Sequence, residues 1–233
     1  MKTRNRALSA GRKLVGRGLF LAAAVLPALF CSRARPGFII LCAGDSLTAQ
    51  GYPQPLRRMI GREAGVAVKV LNRGRSGNTS GEYLRYIRNR TASLAALHPD
   101  FILLQLGTND VRIDADRTSV ADFEKNMRGI IGILRGFRSR ADRPPVIFLG
   151  LIPPVPEGAG FPFSRESGRR VREEINPALL RLAAELGTPL VDNYSLYVSR
   201  PDLLPDVHPN REGYRELARN WFRALAPRLR ASR

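Results

Sequence analysis

The sequence predicts an α/β protein, a three-layer α/β/α sandwich around a five-stranded parallel sheet. Two observations predict it. From Gly37 onward, short apolar runs alternate with longer amphipathic stretches, and the apolar runs are continuous rather than alternating in polarity. Unbroken apolar runs of strand length belong to strands buried on both faces, as in a parallel sheet covered by helices. Regular strand-helix alternation is how such a doubly wound sheet is threaded.

The predicted strands are Phe38 to Ala43, Val66 to Leu71, Phe101 to Leu106, Val146 to Leu151 and the shorter Pro189 to Val191. The predicted helices are Gln54 to Glu63, Gly81 to Leu97, Thr118 to Arg138, Glu166 to Leu186 and Arg211 to Leu229. At 233 residues and 44% hydrophobic content, the chain suits one domain with an appendage. No internal repeat or heptad run supports a solenoid or coiled coil.

The appendage is N-terminal. Residues 1–17 are basic, and Gly18 to Phe30 form an apolar run broken only by Pro27. That run is shorter than the roughly 20 residues of a spanning helix and has the form of a secretory signal. Export to the periplasm or beyond is therefore expected, with an uncleaved membrane anchor as the alternative. The division is 1–36 for this leader and 37–233 for the domain. Cys31 ends the apolar run and Cys42 falls inside the first strand, so the two do not read as a disulfide framework.

The formal charge of +18 has the look of a polyanion binder. The first 36 residues carry eight basic side chains and no acid, so removing them leaves +10 on the domain. The remaining arginines are scattered beside acids along the helices, as on a solvated surface. Nucleic acid is not expected as a partner; contact with an anionic membrane surface stays open.

In an open α/β sheet, ligands bind beyond the carboxyl ends of the strands. Reactive residue types cluster there. After the first strand comes Gly44-Asp45-Ser46-Leu47, a tight strand-to-helix turn that would raise the Ser46 hydroxyl above the sheet. After the second comes Asn72 to Thr79, where Gly77, or alternatively Gly74, lets backbone approach a developing negative charge. After the third comes Gly107-Thr108-Asn109-Asp110, in which the Asn109 amide is a neutral donor. Before the last helix comes Pro205-Asp206-Val207-His208-Pro209-Asn210. The chain has two histidines; His98 precedes the third strand, at the wrong end of a parallel sheet, which leaves His208 as the base for Ser46.

These four blocks, in this order and at these strand ends, resemble the SGNH/GDSL hydrolase family over about Phe38 to Tyr214. The resemblance implies a flavodoxin-like fold and a Ser46 nucleophile with His208 as its base. It also implies an oxyanion hole built from the Ser46 N–H, the Gly77 N–H and the Asn109 amide. The family's acid stands three residues before the histidine, where this chain has Pro205. Asp206, two before, is taken as the triad acid, with Asp202 or no acid at all as alternatives.

The expected activity is serine ester hydrolysis on carboxylic esters, of the lysophospholipase or short-to-medium-chain esterase kind. No metal or organic cofactor is called for. Alternatives are a carbohydrate O-acetylesterase, or a degenerate domain that binds envelope glycan or lipid without turnover. The segment Pro153 to Ser164 is expected to shape the substrate pocket, with Phe161 and Phe163 lining it or covering the core.

Overall fold

The structure is a computed structural model and describes residues 37–230. The expected leader lies outside them. Strands β1 (Phe38–Gly44), β2 (Val68–Gly74), β3 (Phe101–Gln105), β4 (Val146–Gly150) and β5 (Leu190–Val191) form one sheet in the order β2-β1-β3-β4-β5. Every neighbouring pair is parallel. The threading of the sheet goes from β1 outward to β2, then crosses back to β3 and continues the other way. Because such crossovers are right-handed, that reversal sends helices to opposite faces.

The strand sequences show both faces at work. Leu41, Ala43, Ile102, Leu104, Ile147 and Leu149 point into one apolar cluster, shared with α3 (Ser80–Ala95), α4 (Val120–Arg135) and α6 (Asn176–Glu185). Ile40, Cys42, Phe101, Leu103 and Phe148 point into the other, shared with α2 (Pro53–Met59), α7 (Asn193–Ser199) and α8 (Arg211–Arg230). Successive residues thus feed opposite cores, the period-two consequence of the pleat. Cys42 is a buried free thiol within the second.

The register of pairing sets the height of the loops. Gly44 at the end of β1 is level with Gly74 of β2 and with Gln105 of β3. Ser46, Gly77 and Asn109 follow these positions by two, three and four residues, so all three emerge at one end of the sheet.

Several elements depart from expectation. β2 runs three residues further than its apolar stretch, through Asn72 and Arg73, and is only half-buried. It is an edge strand, held by its pairing to β1, so burial does not dictate its composition. The single helix expected from Glu166 to Leu186 is instead α5 (Arg165–Arg170), a π-helical turn over Val171–Ile175, and α6. Pro177 has no N–H for the carbonyl four residues back, and Asn176 N–H bonds to Val171 O, five back, widening the turn. α7 and the five-residue α1 (Ser46–Gln50) are too short to leave a periodic signature. No helix among the described residues is long and apolar enough to cross a membrane.

β3 is the central strand, and its Leu103 is fully buried. Leu103→Ala is expected to lower the free energy of unfolding by about 2–5 kcal/mol, measured by urea denaturation. A loss under about 0.5 kcal/mol would contradict the packing described.

Candidate active site

The Ser46 turn is built by its neighbours. Asp45 caps α1, its Oδ1 accepting a 3.0 Å hydrogen bond from Leu47 N–H. Asp45 is fully buried, and that burial pushes its carboxyl from an ordinary 3.8 up to about 7, against the lowering effect of the Leu47 bond. Ser46, the first residue of α1, is 8% exposed. Its own N–H belongs to the first helical turn, where amides have no partner within the helix.

His208 comes from the far end of the chain, and the start of α8 places it. Asn210 Oδ1 accepts from Gly213 N–H at 2.9 Å as a helix cap, while Asn210 Nδ2 donates to Asp202 O at 2.8 Å. Asn210 N–H bonds to Leu203 O at 3.0 Å. With that segment fixed, His208 Nε2 lies 2.8 Å from Ser46 Oγ, across 162 residues of sequence. In the tautomer with its proton on Nδ1, the imidazole accepts the serine hydroxyl proton at Nε2.

The expected acid is not joined to this pair. Asp206 is exposed and makes no hydrogen bond to His208. Asp202 is turned away and held by Arg200 in a two-pronged ion pair, at 2.9 and 2.7 Å. The physical reason is the spacing. Pro205 stands where a carboxylate three residues before the histidine would be, and the turn at Pro201–Leu203 commits Asp202 to its local arginine.

The loops after β2 and β3 meet beside the serine. Asn78 N–H bonds to Arg75 O at 3.2 Å, closing a four-residue turn whose third residue, Gly77, has φ of +80°. That is the left-handed position such a turn reserves for glycine. Gly74 is used differently: a Cβ there would lie 2.2 Å from Ala49 N, so its bareness lets β2 pack against α1. Asn109 Nδ2 donates to Asn78 O at 3.0 Å. A carboxamide carries two N–H donors, so this bond orients the amide while leaving its second donor uncommitted.

Behind Asn109 lies a polar network with only partial sequence signal. Asp110 is fully buried, and its carboxylate accepts Ser80 N–H at 3.1 and 2.9 Å and the Ser80 hydroxyl at 2.6 Å. Burial raises its carboxyl above the ordinary value, with the Ser80 bonds opposing that rise. Asn126 Nδ2 donates to Ser80 Oγ at 3.1 Å. Arg170, also buried, donates to Asp110 O at 2.8 Å and Thr118 O at 2.6 Å, and pairs with Glu174 at 2.9 Å. Asp110 is adjacent to an expected site residue; Arg170 lies 60 residues away and nothing in its local sequence marks it.

The remaining expectations separate cleanly. His98 precedes β3, at the opposite end of the sheet from Ser46, with Nδ1 3.1 Å from Arg138 O. In the segment after β4, Phe163 packs against the core while Phe161 is 80% exposed. Asn176 fastens the start of that segment, exchanging two 3.0 Å bonds with the Ile152 backbone.

The Asp45 carboxyl carries a pH prediction. Its folded value of about 7 lies above its ordinary 3.8, so the folded state holds this proton more tightly than the unfolded chain. Its contribution to stability is therefore full below about pH 4, is lost as pH rises to about 7, and changes no further above that. Asp45→Asn cannot titrate and should shallow the slope of unfolding free energy between pH 4 and 7; Asp110, shifted the same way, leaves a residual slope. Equal slopes in urea melts of both proteins across that window would refute the assignment.

A search of curated proteins by sequence found no match. The structure is similar to the acetylxylan esterase Axe2 of Geobacillus stearothermophilus, with a TM-score of 0.64 at 19% identity over 82% of this chain and 94% of that one. It is likewise similar to a lipase/acylhydrolase from Enterococcus faecalis, with a TM-score of 0.64 at 23% identity over 82% and 96%. Those likenesses establish a shared fold. The family model of the GDSL-like lipase/acylhydrolases matches residues 42–216, from within β1 to α8 and through all four blocks. The chain belongs to the GDSL-like lipase/acylhydrolase family and is a serine hydrolase of carboxylic esters.

Proposed function

We propose that hydrolysis proceeds through an acyl-enzyme on Ser46, with His208 as general base and then general acid. The observation that carries this reading is the 2.8 Å contact between Ser46 Oγ and His208 Nε2. As Oγ attacks the ester carbonyl, its proton passes to Nε2. The carbonyl oxygen becomes an oxyanion, received by the Ser46 N–H, the Gly77 N–H and the free N–H of the Asn109 amide. The imidazolium returns its proton to the leaving alcohol. Water then attacks the acyl-enzyme by the same route, with His208 again taking and returning a proton.

The imidazole works here without a carboxylate on Nδ1, as a Ser-His pair. Where an aspartate does orient the histidine of a triad, its loss costs on the order of 10⁴-fold in kcat. Asp206→Ala and Asp202→Ala are each expected to lower kcat by less than about tenfold. A drop of the larger size for Asp206→Ala would restore Asp206 as the acid.

The substrates are esters of short-to-medium acyl chains, lysophospholipid-like, met outside the cytoplasm. The basic residues 1–17 and the apolar run at 18–30 support export, and the +10 charge of the domain supports approach to an anionic lipid surface. A second reading, removal of acetyl groups from polysaccharide, is favoured by one observation. Phe161 presents its ring to solvent on the segment after β4, and Ile113 N–H, four residues past Asn109, bonds to Pro162 O at 3.0 Å. That is a stacking surface for a sugar near the oxyanion loop.

A fluorophosphonate probe should label the folded protein at Ser46 and leave Ser46→Ala unlabelled. Absence of an adduct in the folded wild type would mean a binding domain without turnover. p-Nitrophenyl esters of rising chain length, set against acetylated xylan, divide the two substrate readings. Activity confined to acetyl would favour the polysaccharide.

A further inference from the structure

Asp110 is a buried carboxylate for which the mechanism above has no use, and it touches neither Ser46 nor His208. Its bonds instead cross from the loop after β3 to the beginning of α3. Both oxygens accept the Ser80 N–H, and one also accepts the Ser80 hydroxyl. Ser80 follows directly on the Gly77-Asn78-Thr79 turn, and Asp110 directly follows Asn109. The bond from Asn109 Nδ2 to Asn78 O closes a second link between the same two loops.

The two donor loops arise from non-adjacent strands, since β1 separates β2 from β3. Nothing in the sheet hydrogen-bonding joins them. Their relative placement therefore rests on contacts above the sheet edge, and of these the Asp110 bonds to Ser80 are the buried ones, where a hydrogen bond is stronger than in water. The far side is also held. Arg170 grips Asp110 O and Thr118 O, and Asn126 grips the Ser80 hydroxyl from α4.

Oxyanion stabilisation depends on donors fixed in advance at the place where charge develops. We propose that Asp110 is a positioning residue for this site, clamping the loop that carries Gly77 to the loop that carries Asn109 so that both donors face one oxyanion. Arg170 supports the clamp by holding the Asp110 backbone. The proposal rests on the hydrolase reading above for its catalytic consequence. Its structural content, that Asp110 fixes one donor loop against the other, stands independently.

The test uses Asp110→Asn and the milder Ser80→Ala in the full chain, alone and combined with Asn109→Ala. Asp110→Asn keeps shape and one acceptor but sets an amide donor against the Ser80 donors. It should lower kcat by about 10²-fold, approaching the 10²–10³ expected for losing one oxyanion donor. KM should stay within about threefold, because donors that act on the transition state leave ground-state binding intact. Ser80→Ala should lower kcat in the same direction by a smaller factor. In the Asn109→Ala background the effect of Asp110→Asn should shrink at least about tenfold, since one of the donors it positions is already gone.

A carboxylate that merely stabilises the fold predicts otherwise: full multiplication of the two effects, or a fall in activity that tracks the fraction unfolded. Either would overturn the proposal. Amide hydrogen exchange supplies a readout independent of turnover. Both variants should speed exchange at residues 76–80 and 109–111 while the central strands stay protected, and unchanged exchange there would equally overturn it. If wild type lacks Ser46-dependent turnover, the hydrolase reading fails, and exchange still decides whether Asp110 holds the two loops together.

Discussion

The parallel register of β1 with β2 and β3 is the constraint on which the rest depends. Gly44, Gly74 and Gln105 lie level, so three loops leave the sheet at one height and within side-chain reach of one another. A one-residue slip of β1 would exchange Ile40, Cys42 and their alternates between the two apolar clusters, and burial on both faces therefore holds the register. The nucleophile turn stands at the point where the chain reverses its direction across the sheet, the usual place for a ligand cleft in this architecture.

Register places the loops; polar contacts above the sheet align them. His208 reaches Ser46 because Asn210 ties its segment to the 202–203 turn and caps α8 in the same gesture. Asn109 and the Gly77 turn are tied through Asn78, Ser80 and Asp110, with Arg170 behind. Burying carboxylates and a guanidinium is costly unless every one is bonded, and these bonds offset that cost where precise placement is needed. Asp45 bears a similar burden directly beside the serine, and its raised pKa is the sign of a carboxyl drawn out of water.

The legible parts were those written locally. Apolar runs of strand length marked β1, β3 and β4, and helical periodicity marked α3, α4 and α8, because each pattern is a direct consequence of facing a core. The end of β2 was not legible: an edge strand is held by backbone pairing, and Asn72 and Arg73 carry no burial signature. The π-helical turn before Asn176 was latent in Pro177, whose missing N–H shifts the ladder, but a proline can also end a helix.

By itself the sequence determined the chemistry available: a serine at a strand-to-helix turn, one histidine at the correct end of the sheet, a glycine turn and an asparagine, each following an apolar strand. Those follow from residue identity and from the polarity of a parallel sheet. What tertiary structure decided was distance and partnership across long stretches of chain. It brought Ser46 and His208 to 2.8 Å, left Asp206 in solvent, committed Asp202 to Arg200, and drew Arg170 under Asp110. Such pairings depend on where two loops fold back, and a short spacing such as that between Asp206 and His208 does not by itself say which way a carboxylate will point.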